Sequence, residues 1–206
     1  MKKIITLLLS FSFIGLLSAQ TIEENEFNKE KEMKTVMNSI QIHRISGFGG
    51  PTMSYSSINK DFAFLMGGGG GIIVNNLFIG GYGEGLSSSL DVSNEHPIRD
   101  LDFGHGGFWV GYEIFHKSLI HPVISSKIGW GSISGYGTEY TLSHYFRDNV
   151  FVVVPSISAE INFTRFFKIN VGAEYRRTIN VNNTPNMDDN DFSSLGVNMN
   201  FIFGWF

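Results

Sequence analysis

Residues 195–205 read LGVNMNFIFGW. The odd positions carry Leu195, Val197, Met199, Phe201, Phe203 and Trp205, and the even positions include Gly196, Asn198, Asn200 and Gly204. Successive side chains of a β-strand point to opposite faces, so this segment has one apolar face and one polar or bare face. The same parity recurs upstream. Phe167, Ile169, Val171, Ala173 and Tyr175 oppose Lys168, Asn170, Gly172, Glu174 and Arg176. Val153, Ile157, Ala159, Ile161 and Phe163 oppose Ser156, Ser158, Glu160 and Asn162, and Ile120, Ile124, Ile128 and Trp130 oppose His121, Ser125 and Lys127.

From about residue 44 the alternation predicts eight strands, over 44–57, 60–74, 76–88, 101–115, 118–132, 149–163, 166–179 and 192–206, with no helical period between them. Two architectures take such strands. A soluble sandwich or lipocalin-like barrel turns the apolar face inward, whereas an outer-membrane barrel turns it to lipid and fills its lumen with polar groups. Three features favour the second. The apolar faces carry large side chains with aromatics at their ends (Phe163, Phe167, Tyr175, Trp205), as interfacial girdles require. The opposite faces carry charges of both signs, which a closed lumen can pair. The connections alternate: VNN, FHKS and FTR are tight, while 87–100, 133–148 and 180–191 are long. The first connection, SINK, is short but keeps the alternation of direction. The expected fold is therefore all-β: a closed, antiparallel, eight-stranded up-and-down transmembrane β-barrel over 44–206.

The remaining chain is read as export and tail. Residues 1–20 have a basic start (Lys2, Lys3), an apolar run and small residues before Gln20, the pattern of a cleavable signal peptide. Residues 21–43 concentrate charge and are expected to be partly helical or disordered. There is no cysteine, which excludes disulfides and thiolate metal sites. The formal net charge of −4, more negative once Lys2 and Lys3 are removed, gives no nucleic-acid footprint.

On this pattern, and on the stretch SGFGGPTMSYSSINKDFAFLMGGGGGIIVNNLFIGGYG over 46–83, the chain resembles the small outer-membrane β-barrels of Gram-negative bacteria. That eight-stranded class includes OmpX-like and OmpA-like barrels, and the chain also resembles uncharacterised exported proteins of the Bacteroidota. The resemblance implies residence in the bacterial outer membrane and contact with the bilayer and lipopolysaccharide. It also implies insertion by the outer-membrane assembly machinery and a monomeric state. One departure is visible. Such barrels commonly end in a lipid-facing Phe, whereas Phe206 shares the parity of Asn198 and Asn200.

Candidate chemistry is sparse. A dinucleotide fingerprint fails, since from Gly67 the third glycine would fall at Ile72 and from Gly81 at Leu86; no phosphate-loop Gly-Lys-Ser/Thr occurs either. No cofactor is expected. None of the six histidines (His43, His96, His105, His116, His121, His144) has a partner at H-x-x-x-H spacing, and no metal site is expected. His116 and Ser118 match the His-x-Ser pair of lipid A deacylases, but the tight turn that carries them would face the periplasm, away from the outer leaflet. The acidic stretch 183–192 lacks EF-hand spacing and reads as a solvated loop.

Three sets of residues are singled out. Glu84, Glu113, Lys127, Glu160, Lys168, Glu174 and Arg176 are expected to satisfy one another inside a barrel too narrow for a pore. Tyr136, Tyr140, Tyr145 and Phe146 are candidate surface-loop contacts. A glycine patch is expected across three strands: Gly47, Gly49 and Gly50, then Gly67, Gly68, Gly69, Gly70 and Gly71, then Gly80, Gly81 and Gly83. Gly47, Gly49 and Gly50 are placed opposite Gly70, Gly68 and Gly67, and Gly80, Gly81 and Gly83 beside Gly71, Gly70 and Gly68. Inside, the patch would admit bulky residues such as Trp109 from the opposite wall; outside, it would form a shallow groove. Pro51, Pro122 and Pro155 are each expected at a bulge or strand end. The function expected is structural or surface-interacting and non-enzymatic. The alternatives are a barrel holding a small apolar ligand in its mouth and, third, an envelope-lipid-modifying enzyme.

Overall fold

The computed structural model describes residues 43–87, 90–92, 98–139 and 142–206. The expected signal peptide and nearly all of the tail lie outside the described residues. The described chain forms β1 (Ile45–Ile58), β2 (Asp61–Val74), β3 (Leu77–Leu86), β4 (Leu90–Val92), β5 (Ile98–Glu113), β6 (Ile120–Glu139), β7 (Leu142–Asn162), β8 (Phe167–Ile179) and β9 (Ser194–Gly204). The order β3-β2-β1-β9-β8-β7-β6-β5 is closed by pairing of β3 with β5, and all pairings are antiparallel. The chain is thus a closed eight-stranded up-and-down barrel, with β4 as a short addition beside β5.

Turn chemistry sets the register. Asn59 and Lys60 both have positive φ, 48° and 71°, and form a two-residue turn closing Ile58 on Asp61. That is the twist-matched hairpin geometry. Asn75 (φ 57°) closes Val74 on Leu77. The second turn gives the expected register, with Gly71, Gly70 and Gly68 beside Gly80, Gly81 and Gly83. The first corrects it: Gly49 faces Gly70, Gly50 faces Gly69 and Gly47 faces Ile72. The turn occupies Asn59–Lys60 rather than the middle of SINK, which slides β1 by two residues and preserves every side chain's face.

The wall is turned inside out relative to a soluble protein. Phe62, Trp130 and Trp205 point outward at 84%, 64% and 87% exposure, while Lys168 and Arg176 are buried in the lumen at 2% each. Charged side chains are almost never buried unless paired, and contiguous apolar surface this broad does not face water. The lumen is also not uniformly polar. At the end of the long connections Ile58, Ala63, Leu65, Leu101, Phe103, Ile133, Val150, Val152 and Val154 form an apolar cluster. Val181, Met187 and Phe192 of the connection 180–193 complete it and fill that mouth. Towards the short-turn end, Ile73, Phe78, Tyr82, Trp109 and Val123 form a second cluster, with Phe48 and Phe206 against it.

Two further expectations are corrected. Residues 133–148 are not a loop, because β6 and β7 run on in one register from Ile120↔Ile161 to Glu139↔Leu142. Pro51 and Pro155 lie mid-strand, at neither bulges nor register shifts, whereas Pro122 sits at a strand end as expected. Pro51 and Pro155 coincide with interruptions in one neighbouring ladder: β1–β9 pairs Gly49↔Phe203 and resumes at Thr52↔Asn200, and β7–β8 pairs Val153↔Arg177 and resumes at Ser156↔Glu174. Each keeps its other neighbour, Gly68 or Ser126. Pro122 lies near the start of β6, where its carbonyl accepts from Ile114 N at 2.9 Å. A ladder can omit one missing N–H without a bulge when its register resumes unchanged.

Candidate functional site

The seven lumen charges are all buried, but they form separate groups rather than one network. At the short-turn end, Lys168 Nζ donates to Glu113 Oε1 at 2.8 Å and to Glu160 Oε1 at 2.7 Å. Arg44 Nη1 donates to Glu113 Oε2 at 2.9 Å, and His121 Nε2 lies 3.2 Å from Glu160 Oε1. Midway up the lumen Lys127 pairs with Glu84 and lies over the rings of Tyr82 and Trp109, 5.6 and 5.7 Å from their centroids. His105 Nδ1 bonds Tyr82 Oη at 3.0 Å.

Glu174 and Arg176 do not pair with each other. Glu174 accepts from the Ser54 hydroxyl and from Asn198 Nδ2 at 3.2 Å. Arg176 reaches towards the long-connection end. It donates to Ser56 Oγ (2.7 Å), Ser57 O (2.8 Å) and Phe192 O (2.9 Å), with its guanidinium over the Phe103 ring. Planar, multi-donor guanidinium suits that task better than ammonium would. Arg176 thereby ties the β1–β2 hairpin to the connection that fills the mouth. Removing one member of a buried pair leaves an uncompensated charge and costs about 3–5 kcal/mol.

Sequence parity found these seven but missed their partners. Arg44, His105, His121 and the Ser54 hydroxyl are single residues of common type, with no spacing signal. Asp148 was also missed. It accepts from the backbone N–H of Asn182 (2.5 Å) and Asn183 (2.7 Å), which anchors the mouth-filling connection to β7.

The glycines divide by face. Ala63, Leu65 and Ile73 are buried at odd positions of β2, which turns Gly67, Gly69 and Gly71 inward and Gly68 and Gly70 outward. Among the described residues no glycine has positive φ, so conformational freedom is not what the run supplies. A Cβ would come 2.7 Å from Glu84 Cα at Gly67 and 2.5 Å from Gly80 Cα at Gly71. At Gly69 it would come 3.0 Å from Trp109 Cε3. Trp109 belongs to β5, next but one to β2 through β3, rather than to the opposite wall. Outward, a Cβ on Gly83 meets nothing within 4 Å and one on Gly47 only an atom at 3.9 Å; Gly70 is tighter, at 2.7 Å from Phe48 O. Outside, Gly83, Gly104 and Gly106 floor an open groove of about 480 Å³ beside Trp130, Ser132, Arg147 and Asn149.

The other candidates are dispersed. Tyr136 and Tyr145 lie on β6 and β7, outward and in mutual edge contact at 5.6 Å. Phe146 turns inward against the apolar cluster, and Tyr140 lies outside the described residues. His116 and Ser118 share the β5–β6 turn, but among the described residues no hydrogen bond joins the ring to the hydroxyl. The His116 ring is held below its ordinary pKa by partial burial and then by Arg44. In the acidic stretch, carboxylates serve their own backbone: Asp189 accepts from Val181 N at 2.8 Å and Asp188 from Asn190 N at 2.7 Å.

No protein-family model matches the chain. No curated protein matches it either. Among solved structures the chain is similar to Neisserial surface protein A, with 10% identity and a TM-score of 0.48 over 78% of this chain and 94% of that one. It is similar to the N-terminal β-barrel domain of Pseudomonas aeruginosa OprF, with 8% identity and a TM-score of 0.44 over 80% and 99%. It is also similar to Ail, the attachment invasion locus protein of Yersinia pestis, with 14% identity and a TM-score of 0.43 over 78% and 97%. The fold assignment rests on the closed ladder described above.

Proposed function

We propose that this chain is an outer-membrane barrel of a Gram-negative bacterium, exported by its N-terminal signal and inserted as a monomer among lipopolysaccharide and phospholipid. Its role is structural or surface-interacting rather than catalytic. The observation that carries the reading is the inversion of the wall: a closed barrel with apolar side chains outside and charges within. In water that arrangement exposes apolar surface and buries charge at once; in a bilayer each face meets its proper medium. Orientation follows from connection length, with the tight turns in the periplasm and the long connections outside. The β6–β7 hairpin, which runs past the end of β8 and is flanked by β5 as far as Gly137, carries Tyr136 and Tyr145 on its outer face and is the surface offered to partners. The mouth where an apolar ligand would sit is filled by Val181, Met187 and Phe192, which weighs against a lipocalin-like role.

The test is fractionation of cells expressing the full chain, followed by gel electrophoresis of heated and unheated samples. Recovery with outer membranes and faster migration when unheated are expected. A mature protein that stays in solution without detergent would remove the reading.

A further inference from the structure

Glu113, His121 and Glu160 come from three adjacent strands, β5, β6 and β7, at the short-turn end of the lumen. Their side chains are 3%, 0% and 3% exposed. One ligand-type atom from each lies within 4.8 Å of the others. His121 Nδ1 faces the Ser118 carbonyl at 3.3 Å. A carbonyl only accepts, so Nδ1 carries the hydrogen, and in the neutral ring Nε2 is a bare lone pair. That nitrogen is buried without a hydrogen-bond partner and points at a carboxylate oxygen 3.2 Å away. A lone pair facing a carboxylate is held only by a positive charge between them, which is either a proton on Nε2, making an ion pair with Glu160, or a metal ion. An imidazole anchored through its other nitrogen to a backbone carbonyl is the arrangement that presents a lone pair to a metal. Beside Glu113 and Glu160, though not lined by His121, lies a small partly open cavity of about 10 Å³, where Ser125 and Asn170 join the carboxylates and Phe48, Phe78 and Trp109 form much of the rest of the wall. That is room for about one water, the size of an open coordination position.

Lys168 answers only part of this demand. Its ammonium bridges the two carboxylates, whereas the imidazole lone pair is left over. Lys168 also lies over the Phe206 ring, 4.3 Å from its centroid, which gives the ammonium a second attraction if it is pushed from the carboxylates.

We propose that Glu113, His121 and Glu160 form a binding site for a divalent transition ion of the zinc type, with Lys168 as a built-in cation competing for the same two carboxylates. One imidazole and two carboxylates suit zinc, with the fourth position open to water. Calcium and magnesium ask for six or more, mostly oxygen, ligands and fit three poorly. The site is independent of the surface role proposed above.

The test uses the untagged full barrel folded in detergent, titrated with zinc chloride by calorimetry and checked by metal analysis after dialysis. One zinc per chain is expected, with no magnesium response. His121→Gln lowers the affinity at least about tenfold, because it removes the one nitrogen ligand. Lys168→Gln raises it at least about tenfold, because the competing charge is gone. Zinc also raises the unfolding midpoint of Lys168→Gln more than that of the wild type. The heat-dependent gel shift establishes that each variant is folded. Zinc binding unchanged in His121→Gln overturns the proposal, as does tighter zinc binding by the wild type than by folded Lys168→Gln. If Lys168→Gln does not fold, the wild type against His121→Gln decides alone.

Discussion

Lys127 and Ile128 are adjacent in sequence and lie on opposite faces of the wall, Lys127 4% exposed in the lumen and Ile128 36% exposed outside. The lumen face is specified atom by atom: Lys127 needs Glu84, Arg176 needs Ser56, Ser57 and Phe192, and Gly69 must stay bare for Trp109. The outer face is specified only by class, as apolar and preferably large. The same contrast separates the glycines. In an eight-stranded barrel the curvature brings inner faces together and spreads outer ones. An inward Cβ at Gly71 therefore meets neighbouring backbone, while an outward Cβ at Gly83 meets nothing.

Substitutions can break or sharpen this contrast. Lys127→Met strands the Glu84 carboxylate in the lumen, and denaturant unfolding in lipid vesicles is expected to show a loss of about 3–5 kcal/mol. An unchanged midpoint would mean that water reaches the middle of the barrel. One residue on, Ile128→Lys puts a charge on the outer wall and costs about 2–4 kcal/mol in a bilayer. The same variant would be nearly neutral if that face met water, so its ΔΔG measures what surrounds the barrel. Gly71→Ala forces a methyl against the Ile79–Gly80 backbone and costs about 1–3 kcal/mol. Gly83→Ala, three strand positions from Gly80 but facing out, stays within about 0.5 kcal/mol of the parent. Equal effects at Gly71 and Gly83 would show that composition of the run, rather than the face each glycine takes, sets its cost.

Much of this was legible in sequence because strand parity is physical. Leu195 to Trp205 alternates, and a two-residue period leaves no freedom about which residues share a face. Charge on the hidden parity then announced a polar lumen. Three things were not legible. The stretch NVFVVVP is apolar on both parities, so the inward Val150, Val152 and Val154, and with them the apolar plug, carried no pattern. Residues 133–148 are rich in Gly, Ser, Thr and charge, which reads as loop; pairing with the facing strand overrides that composition. The partners of the lumen charges depend on which strands adjoin across the ring and how far each has slid. Turn positions set that slide, and a one-residue shift of the turn at Asn59–Lys60 slides β2 past β1 by two, changing every β2 neighbour of β1 while leaving its faces intact.

The projecting hairpin has a practical consequence. Beyond the last β7–β8 pairing, Phe151↔Ile179, strand β7 still runs beside β6 to Leu142↔Glu139. The register of that stem is fixed far below, within the wall, by pairs such as Ile124↔Ile157. A foreign peptide spliced between Glu139 and Leu142 would sit at the tip of that stem, beyond the lumen charges and beyond Ile133, Phe146, Asp148 and Val150, through which the stem holds the mouth plug. With the orientation proposed above, cells carrying such a chimera display the insert to antibody while the barrel keeps its heat-dependent gel shift, which would make this chain a scaffold for surface display.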